Sequence, residues 1–442
     1  MVFKYCASKI WQSFHLRLAP VGLSFLLASC SALTAGGMLE TSPTPTVTPS
    51  PSQTPLDTLP PTETATPAGP QTLIVWVPPG FDPESGTQAG NIFKARLAAF
   101  SQRRPDVRVE ARVKALEGPG GLLDGLTTAS AAAPLALPDL VALPRPLMEA
   151  ASLKGLLRSY AGQTTALDDP DWYDYARDLS SVQGSPFGLP FAGDALVLVY
   201  RPGVVPEPPP SWRDTLKLAQ PLVFSAADPQ ALFTLLQYQA QGGKVRDEQG
   251  RPILDQPRLE QVLDFYREAE TNGVMPYWLT QFQTDQQAWD AFNENRADMI
   301  VTWSSRHLAN MLADTNLASV PTPEGDPYTM ATGWVWAMAS RQEGHQEQVV
   351  RLAEFLTESS FLARWTEAAG YLPPRPSALR AWSNASLKDT LTTIVNSSHL
   401  YPPAEFLTAL GPPLEQAAVQ VLKQQSDPAS AAQTAVQSLP AP

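Results

Sequence analysis

The spacing of hydrophobic positions changes repeatedly between the two-residue period of strands and the wider period of helices. Residues 73–77 are an apolar strand pattern, residues 91–104 place their large apolar side chains on one helical face, and residues 107–113 alternate again. Residues 122–132 have a helical pattern, and residues 138–143 form the next apolar run. Strand, helix, strand, helix and strand in this order predict an α/β domain with a parallel sheet and right-handed crossovers.

The most informative stretch is residues 188–200, which reads Gly-Leu-Pro-Phe-Ala-Gly-Asp-Ala-Leu-Val-Leu-Val-Tyr. Its second half, from Ala195 onward, is an unbroken apolar run, which is typical of a strand buried on both faces. Glycine and proline interrupt the first half and predict a bend or an open crossing there. Asp194 lies at the junction, where a buried charge needs a partner. It is either a cap or turn residue or a ligand acceptor at the mouth of the strand.

Helical patterns dominate the second half of the chain. Residues 258–272 have one apolar face and are followed by Gly273, a common residue at the C-terminal end of a helix. Thr284 and Gln287 have the spacing of a capping box at the start of another helix.

A further apolar strand pattern covers residues 333–339 and contains two tryptophans. Trp334 and Trp336 are two positions apart, so they are expected to lie on the same face of the strand. Residues 349–355 then show the pattern of an amphipathic helix.

The N-terminal residues have the pattern of a bacterial lipoprotein signal. Residues 1–29 contain three cationic side chains and no acid, and the apolar run at residues 18–28 is too short to span a bilayer. This run ends in Leu-Ala-Ser before Cys30, which is a lipobox and predicts removal of residues 1–29 and lipidation of Cys30. An ordinary secretory signal is the alternative. Residues 30–70 are rich in proline and threonine and are expected to form an extended tether to a globular part, residues 71–442.

Charge and cysteine content narrow the choice of partners. The chain has 31 Lys and Arg against 43 Asp and Glu. Loss of the predicted signal leaves 28 cationic against 43 acidic side chains, a net charge of −15. This balance argues against nucleic acid or anionic lipid as a partner. The two cysteines are Cys6 and Cys30, so the globular part is expected to have no disulfide and no thiolate metal site.

The sequence contains no recognisable catalytic or metal-binding motif. His307, His345 and His399 lie far apart, and neither a His-x-x-x-His nor a Gly-x-Ser-x-Gly pattern is present. The glycine-rich residues 118–121 lack the Lys-Ser/Thr pair of a phosphate-binding loop. We therefore expect no enzymatic activity, no metal and no cofactor. A glycosidase with two carboxylates converging in a cleft is the enzymatic alternative.

Aromatic residues supply the positive evidence for a binding function. The chain has eleven tryptophans and eleven tyrosines, and without Trp11 and Tyr5 of the predicted signal ten of each remain, which is many for an exported domain. Sugar C–H faces pack on aromatic rings, while sugar hydroxyls need planar polar acceptors such as carboxylates. The candidates for ligand contact lie at predicted strand ends or in the crossing segments. They are Phe81, Phe191, Asp194, Trp303, Ser304, Trp334 and Trp336. For each aromatic residue, packing in a core is the alternative.

Four stretches resemble the bacterial extracellular solute-binding proteins of the maltose-binding type. Residues 188–200 resemble the family's crossover strand, with its Leu-Pro-aromatic segment and a following acidic or amide residue. Residues 291–303 resemble its Phe-x-x-Gly-Lys-Ala-Ala-Met-x-Ile-x-Gly-x-Trp pattern, with Asn295 where glycine is usual. The resemblance implies a helix, a tight turn and a strand there, and asparagine preserves the turn because it tolerates the left-handed backbone conformation. Residues 333–339 resemble the return strand. Residues 370–375, Gly-Tyr-Leu-Pro-Pro-Arg, resemble the Gly-x-Leu-Pro-x-Arg motif.

The resemblance implies a two-lobed, type II periplasmic-binding-protein-like α/β fold with a ligand cleft between the lobes. The first lobe would comprise residues 71–190 and 336–375, the second lobe residues 191–335, and the C-terminal helices of residues 376–442 would pack mainly with the second lobe. It also implies a monomer, anchored to the membrane outside the cytoplasm, that binds a small-molecule solute such as a sugar. The partners would be the permease subunits of an ABC-type importer, with Asp194 as an acceptor for the solute. A sensory or adhesion module with the same fold is the alternative.

Overall fold

The computed structural model describes residues 70–339 and 343–439. The predicted signal of residues 1–29, the lipidation site Cys30 and the tether up to residue 69 lie outside the described residues and stay predictions. Among the helices of the described ranges, none has an apolar stretch long enough to cross a bilayer.

The strands formed by the described residues are short except for two, which are β6 and β10. They are β1 (Gln71–Val77), β2 (Val107–Val113), β3 (Leu140–Pro144), β4 (Ser181–Val182), β5 (Ser185–Pro186), β6 (Gly188–Tyr200), β7 (Leu222–Val223), β8 (Met299–Trp303), β9 (Asn316–Ala318), β10 (Thr329–Met338) and β11 (Ser398–Leu400).

The α-helices alternate with these strands and then dominate the C-terminal part. They are α1 (Gln88–Arg103), α2 (Leu122–Ala132), α3 (Arg145–Leu153), α4 (Asp174–Leu179), α5 (Trp212–Leu218), α6 (Leu232–Ala240), α7 (Gln256–Thr271), α8 (Asp285–Asn293), α9 (Ser304–Asn310), α10 (Gln346–Phe355), α11 (Ser359–Ala369), α12 (Pro376–Arg380), α13 (Ala385–Asn396), α14 (Ala404–Leu422) and α15 (Pro428–Gln437).

One mixed sheet runs through the molecule in the order β2-β1-β3-β10-β6-β8-β7, with β11 added to β10 and β9 added to β6. Strand β1 pairs in parallel with β2 and β3, which confirms the parallel sheet predicted for the first part of the chain. Strand β10 is antiparallel to both β3 and β6, and β6 is antiparallel to β8. The long strands β6 and β10 therefore join the two ends of the sheet.

Strand β6 is buried along all 13 residues. The sequence predicted a bend or an open crossing in its glycine-containing half. The open crossing is wrong, because the strand continues and pairs with β10. The register nevertheless shifts between Trp334 and Val335, where Phe191 has no partner in β10, so this half contains a β-bulge, which bends a strand. Residues 196–200 pair with β8 instead. The glycines serve close packing: a Cβ at Gly188 would collide with the side chain of Val335.

The first part of the sheet is covered on both faces. Leu73, Val75 and Val77 of β1 belong to one hydrophobic cluster with Phe93, whereas Trp76 belongs to another. Alternate residues of a strand point to opposite faces, so these two clusters form the layers above and below the sheet. We call the two clusters together the first core.

A larger hydrophobic cluster surrounds the other end of the sheet and is called the second core. It contains Leu263 of α7, Trp289 of α8, Leu391 of α13 and Leu414 of α14. Residues 195–200 of β6 also belong to it, whereas Leu189 and Phe191 of the same strand belong to the first core. The exact residue limits predicted for two lobes stay a prediction.

Local signals in the sequence are reproduced at several helix ends. The capping box between Thr284 and Gln287 is present at the start of α8. Asn295 has a φ of 58°, and Gly273 has a φ of 73°, as predicted for the turns that follow α8 and α7. Helix α1 begins at Gln88 rather than near Asn91, because the side chain of Thr87 accepts a hydrogen bond from the amide of Gly90.

Candidate functional site

The candidate site lies where β6 and β10 pair between the two cores. Asp194 is opposite Thr332, and Ala192 is opposite Trp334. Directly opposed residues of an antiparallel pair share a face, and so do residues two apart on one strand. Asp194, Thr332 and Trp334 therefore lie on one face of the paired strands.

The opposite face of the same strand pair carries Gly193 and Gly333, which are paired with each other. A Cβ at Gly193 would collide with the hydroxyl of Tyr175, and one at Gly333 would collide with the carbonyl of Ala192. Helix α4, which contains Tyr175, thus covers this face at very close range. Asp194 and Trp334 lie on the other face of the strand pair.

Asp194 is held by donors that belong mainly to α9. Its Oδ1 accepts hydrogen bonds from the Ser304 hydroxyl at 2.6 Å, the Ser305 amide at 3.0 Å and the Ala195 amide at 3.0 Å. Its Oδ2 accepts from the Ser305 hydroxyl at 2.5 Å. Burial raises the pKa of Asp194 to about 6, although all four hydrogen bonds act in the opposite direction.

The two carboxylate oxygens of Asp194 differ in how many hydrogen bonds they already accept. A carboxylate oxygen can accept more than one hydrogen bond, and Oδ2 has a single partner among the described residues. The hydroxyl of Ser304 both donates to Asp194 and accepts from the Ala195 amide at 3.2 Å, and the residue is fully buried. Ser304 therefore fixes the position of Asp194, and Ser305, which is half-buried, lies nearer to solvent.

Several aromatic rings pack around Trp334, on the face of the strand pair that carries Asp194. Phe81, which follows β1, contacts Trp334 edge to face with ring centroids 4.7 Å apart, and it contacts Tyr371 at 5.7 Å. Tyr371 is hydrogen-bonded to the side chain of Trp334, and burial raises its pKa to about 12, with the charge of Asp194 acting in the same direction. Phe81 is 4% exposed, whereas Trp334 and Tyr371 are half-buried. Trp334 and Tyr371 are thus the accessible part of this aromatic wall.

The other predicted aromatic contacts lie deeper or farther along the strand. Phe191 stacks on Trp336 with centroids 4.4 Å apart, and both side chains are almost fully buried in the first core. Trp303 ends β8 directly before Ser304, is half-buried and contacts Tyr401 edge to face at 6.5 Å. The structure thus brings Phe81, Asp194, Ser304 and Trp334 together, with Trp303 beside them and Phe191 and Trp336 beneath. A role of any of the seven in ligand binding stays a prediction.

Two tyrosines next to the site were not among the sequence candidates. Tyr371 is placed by a bridge in which the Gly193 amide donates to the Leu372 carbonyl at 2.7 Å and the Leu372 amide donates to the Gly193 carbonyl at 2.9 Å. Its position in the Gly-Tyr-Leu-Pro motif was the signal that could have found it. Tyr401 follows β11, and its hydroxyl is hydrogen-bonded to the side chain of Thr332. The sequence offers no comparable signal for Tyr401.

Groups of three or more His, Cys, Asp or Glu that could hold a metal ion do not occur in residues 70–339 and 343–439. Burial lowers the pKa of His307 to about 4, so its ring is neutral near pH 7. That ring contacts the hydroxyl of Thr315, 3.3 Å away, and is not among the groups around Asp194.

A scan against protein-family models matches residues 95–391 to the model described as bacterial extracellular solute-binding protein. Among solved structures, a cyclo/maltodextrin-binding protein in complex with maltotetraose has a TM-score of 0.69 at 20% identity, covering 84% of this chain and 97% of that chain. The cyclic alpha-maltosyl-1,6-maltose binding protein from Arthrobacter globiformis has a TM-score of 0.67 at 17% identity, covering 84% and 98%.

The sugar-binding protein MalE from the phytopathogen Xanthomonas citri has a TM-score of 0.65 at 19% identity, covering 84% of this chain and 96% of that chain. Comparison with curated proteins gives no match. At these identities the structural similarity shows the fold: a two-lobed α/β architecture like that of the periplasmic sugar-binding proteins.

Proposed function

Because the chain belongs to the bacterial extracellular solute-binding protein family, we propose that it captures a carbohydrate between its two lobes and delivers it to an ABC-type importer. The observation that carries the proposal is the position of Asp194 beside Trp334 and Tyr371 on one face of the paired strands. A carboxylate and accessible aromatic rings are the groups that sugar hydroxyls and C–H faces require. The sugar complexes among the solved structures of the same fold support this choice of ligand.

The proposed site uses each candidate residue differently. Oδ2 of Asp194 accepts a hydrogen bond from a solute hydroxyl, and the indole of Trp334 stacks on a sugar ring. Trp303 contributes from the end of β8 across the cleft. Phe81 and Ser304 support this surface, Phe81 through its contact with Trp334 and Ser304 through its hydrogen bond to Asp194.

We further propose that Phe191 and Trp336 support the site from below. Their stacked rings lie in the first core, on the strands that carry Asp194 and Trp334. Their role is to hold the two strands in register, because a stacked and buried aromatic pair resists displacement. A direct contact with the solute requires exposure that neither ring has in this conformation.

The proposed lobes correspond to the two cores except beside the crossing strands, where Phe191 of the second lobe packs in the first core and Tyr175 of the first lobe packs in the second. The first lobe comprises residues 71–190 and 336–375, the second comprises residues 191–335, and residues 376–442 add helices mainly to the second. Crossing strands β6 and β10 connect the lobes, so a small change in their backbone angles rotates one lobe against the other. Closure around the solute is the proposed signal to the permease.

Localisation is proposed from the N-terminal sequence. Lipidation of Cys30 anchors the protein outside the cytoplasm, and the Pro/Thr-rich residues 30–70 hold the binding domain away from the membrane. The partners are the solute, the permease subunits of the importer and the membrane through the lipid. We propose that the protein acts as a monomer and without chemical turnover of the solute.

A thermal-shift screen against a library of maltodextrins, other oligosaccharides and polyols tests the proposal. A ligand that binds the native state raises the unfolding temperature by mass action. Hits are then titrated by calorimetry and incubated with the protein to check by chromatography that they remain intact. Failure of the folded protein to bind any member would refute a carbohydrate ligand, and conversion of a bound sugar would refute a purely binding role.

A further inference from the structure

A buried ion pair on α3 contacts two other helices and has no role in the site described above. Arg145 Nε donates to Glu149 Oε1 at 2.5 Å, and the two side chains are 6% and 7% exposed. They are four residues apart on one helix, which is the usual spacing of a solvent-exposed pair. Burial of such a pair is costly, because both charges are removed from water. The remaining contacts of each side chain indicate what the pair does.

Arg145 binds the C-terminal end of α4. Its Nη1 donates to the carbonyl oxygens of Asp178 and Leu179, both at 3.1 Å, and of Ser181 at 2.7 Å. The last carbonyls of a helix lack partners within the helix and carry partial negative charge, so a guanidinium is a favourable ligand for them. Helix α4 is the helix whose Tyr175 lies against Gly193 of the crossing strand. Arg145 thus fixes α4 against the crossing strands.

Glu149 binds the N-terminal end of α14. Its Oε2 accepts a hydrogen bond from the amide of Ala404 at 3.1 Å, and Ala404 is the first residue of that 19-residue helix. The preceding residue, Pro403, has no side-chain acceptor for the free amides of the first turn. Glu149 therefore supplies the missing cap from a different part of the chain. Met148 next to it belongs to the first core, whereas Leu407 of α14 belongs to the second.

The hydrogen bond between Ala404 and Glu149 lies beside one edge of strand β10. Strand β10 uses one edge to pair with β6 and the other edge to pair with both β3 and β11. Helix α3 begins directly after β3, and α14 begins four residues after β11. Strands β3 and β11 both pair with this edge of β10, and no other strand of the described residues bridges them. The hydrogen bond from the Ala404 amide to Glu149 therefore connects the two cores along this edge.

We propose that Arg145 and Glu149 form a latch between the lobes, which holds them in the orientation seen in this structure and is released when they rotate. The proposal rests on the proposed function, in which the lobes move about β6 and β10. Arg145 and Glu149 act as positioning residues: they set the population of this orientation and contact no solute. Loss of the latch increases the population of the other orientation and changes solute affinity indirectly.

The test measures lobe orientation in the full chain without any solute. Cysteines replace Leu135 near the first core and Tyr277 near the second, which are 84% and 60% exposed, in a chain in which Cys6 and Cys30 are serine. Pulsed spin-label distances are compared for the parent and Glu149→Gln. The parent is expected to show one dominant distance, and Glu149→Gln a second population. Hydrogen exchange at the Ala404 amide is expected to become about tenfold faster.

Two further variants separate a latch from a contribution to folding alone. Glu347→Gln removes the exposed i,i+4 pair with Arg351 on α10 and is expected to leave the distances unchanged. The double variant Arg145→Met with Glu149→Met removes both buried charges, so it should regain the stability lost in Glu149→Gln. It should nevertheless keep the second distance population, because methionine offers the Ala404 amide no comparable acceptor.

The outcomes of this experiment are distinct from those of the solute screen. Parent-like distances in folded Glu149→Gln would overturn the latch, and so would parent-like distances in the double variant. Because no solute is added, a failed carbohydrate screen does not alter this result. If a solute binds without changing the spin-label distances in the parent, the proposed closure of the lobes is wrong. This conclusion does not depend on the distances measured in Glu149→Gln.

Discussion

Ser305 binds Asp194 twice, through its backbone amide at 3.0 Å from Oδ1 and through its hydroxyl at 2.5 Å from Oδ2. The amide belongs to the first turn of α9, where helix amides lack partners within the helix. Asp194 on the crossing strand thus holds the start of α9, the helix that follows β8. The same carboxylate is our candidate acceptor for the solute, so its structural and binding roles must be separated by experiment.

The first prediction concerns the pH dependence of folding. The pKa of Asp194 is raised from 3.8 to about 6, so the folded state binds this proton more tightly than the unfolded state. Its contribution to stability is full below about pH 4 and is lost as the pH rises through about 6, by on the order of 3 kcal/mol. Asp194→Asn should lack this dependence, because an amide does not titrate in this pH range. The variant should still fold, because the amide can place its oxygen at the position of Oδ1 and donate to the Ser305 hydroxyl from the position of Oδ2.

Denaturant unfolding of the wild type and Asp194→Asn between pH 4 and pH 7 measures this difference. The free energy of unfolding of Asp194→Asn relative to the wild type should rise with pH across this range. Asp194→Ala is the companion variant: it leaves the donors of α9 without an acceptor and should be less stable than the wild type at every pH. Parallel pH profiles for wild type and Asp194→Asn would show that Asp194 titrates normally.

The second prediction separates the two tryptophans of β10. Trp334 is half-buried beside Asp194, whereas Trp336 is 2% exposed and stacked on Phe191. Trp334→Ala should lower solute affinity and reduce stability by only about 1–2 kcal/mol. Trp336→Ala should reduce stability by about 3–5 kcal/mol, because it leaves a cavity in the first core.

Calorimetric titration with a hit from the carbohydrate screen, together with denaturant unfolding, tests both variants. Trp334→Phe is the control that keeps an aromatic face and should retain part of the affinity. Unchanged affinity in folded Trp334→Ala would remove this residue from the site and leave it as a packing residue.

The sequence contains most of the information for the first part of the fold. The periodicity of residues 107–113 and 122–132 gives β2 and α2 with their observed bounds, because each element has one pattern with a clear end. The glycines of β6 misled the prediction only in part, because that half of the strand has a bulge but no open crossing. Gly193 packs against Tyr175, 18 residues earlier in the chain, and Gly188 packs against Val335 of β10. Local sequence patterns carry no information on such contacts.

The site could be predicted only in outline. Asp194 and Trp334 became candidates because each begins or ends a recognisable segment of a crossing strand, and the structure places both on one face of the strand pair. Three of the four hydrogen bonds to Asp194 come from residues 110 and 111 positions away, and Glu149 accepts from an amide 255 positions away. Serines at a helix start and an Arg/Glu pair at i,i+4 are common in solvated helices as well. Their roles here depend on tertiary neighbours that a single sequence does not specify.

The third prediction concerns the contact between Tyr175 and Gly193. The hydroxyl of Tyr175 is buried and has no hydrogen-bond partner among the described residues. Tyr175→Phe should therefore leave the free energy of unfolding unchanged or raise it by up to about 1 kcal/mol. Gly193→Ala should lower it by about 1–3 kcal/mol, because the new methyl group would meet this hydroxyl.

A double-mutant cycle measures the coupling between these two positions. Gly193→Ala combined with Tyr175→Phe should regain part of the lost stability, since the nearest colliding atom is removed while the ring carbon remains 2.9 Å from the new Cβ. Additive effects in the cycle would mean that the hydroxyl does not limit the space at Gly193.

The fourth prediction concerns the anchor. Cys30→Ser should release the protein from the membrane fraction, because it removes the only predicted lipidation site. Cys6→Ser is the matched control and should remain membrane-bound, since Cys6 lies in the part of the signal that is removed. Fractionation followed by mass spectrometry of the mature N-terminus measures both. An unmodified N-terminus at another residue of the wild type would contradict lipidation.

The last prediction uses two glycines with the same backbone conformation. Gly370 ends α11 with a φ of 74°, and Gly273 follows α7 with a φ of 73°. A Cβ at Gly370 would lie 2.7 Å from the amide nitrogen of Ala309 in α9, whereas a Cβ at Gly273 would meet nothing within 4 Å. Alanine at either position costs about 1–2 kcal/mol in backbone strain, so the difference between the variants isolates the contact of α11 with α9.

Gly370→Ala should lose about 1–3 kcal/mol more than Gly273→Ala in denaturant unfolding, because the added methyl group must displace α9 or α11. Helix α11 packs in the first core and α9 contacts the second, so the displacement should also alter the proposed cleft. Solute affinity should fall in Gly370→Ala and remain unchanged in Gly273→Ala. Equal losses of stability with equal affinities would mean that α9 and α11 separate easily, and the close approach of Gly370 to Ala309 would then have no influence on binding.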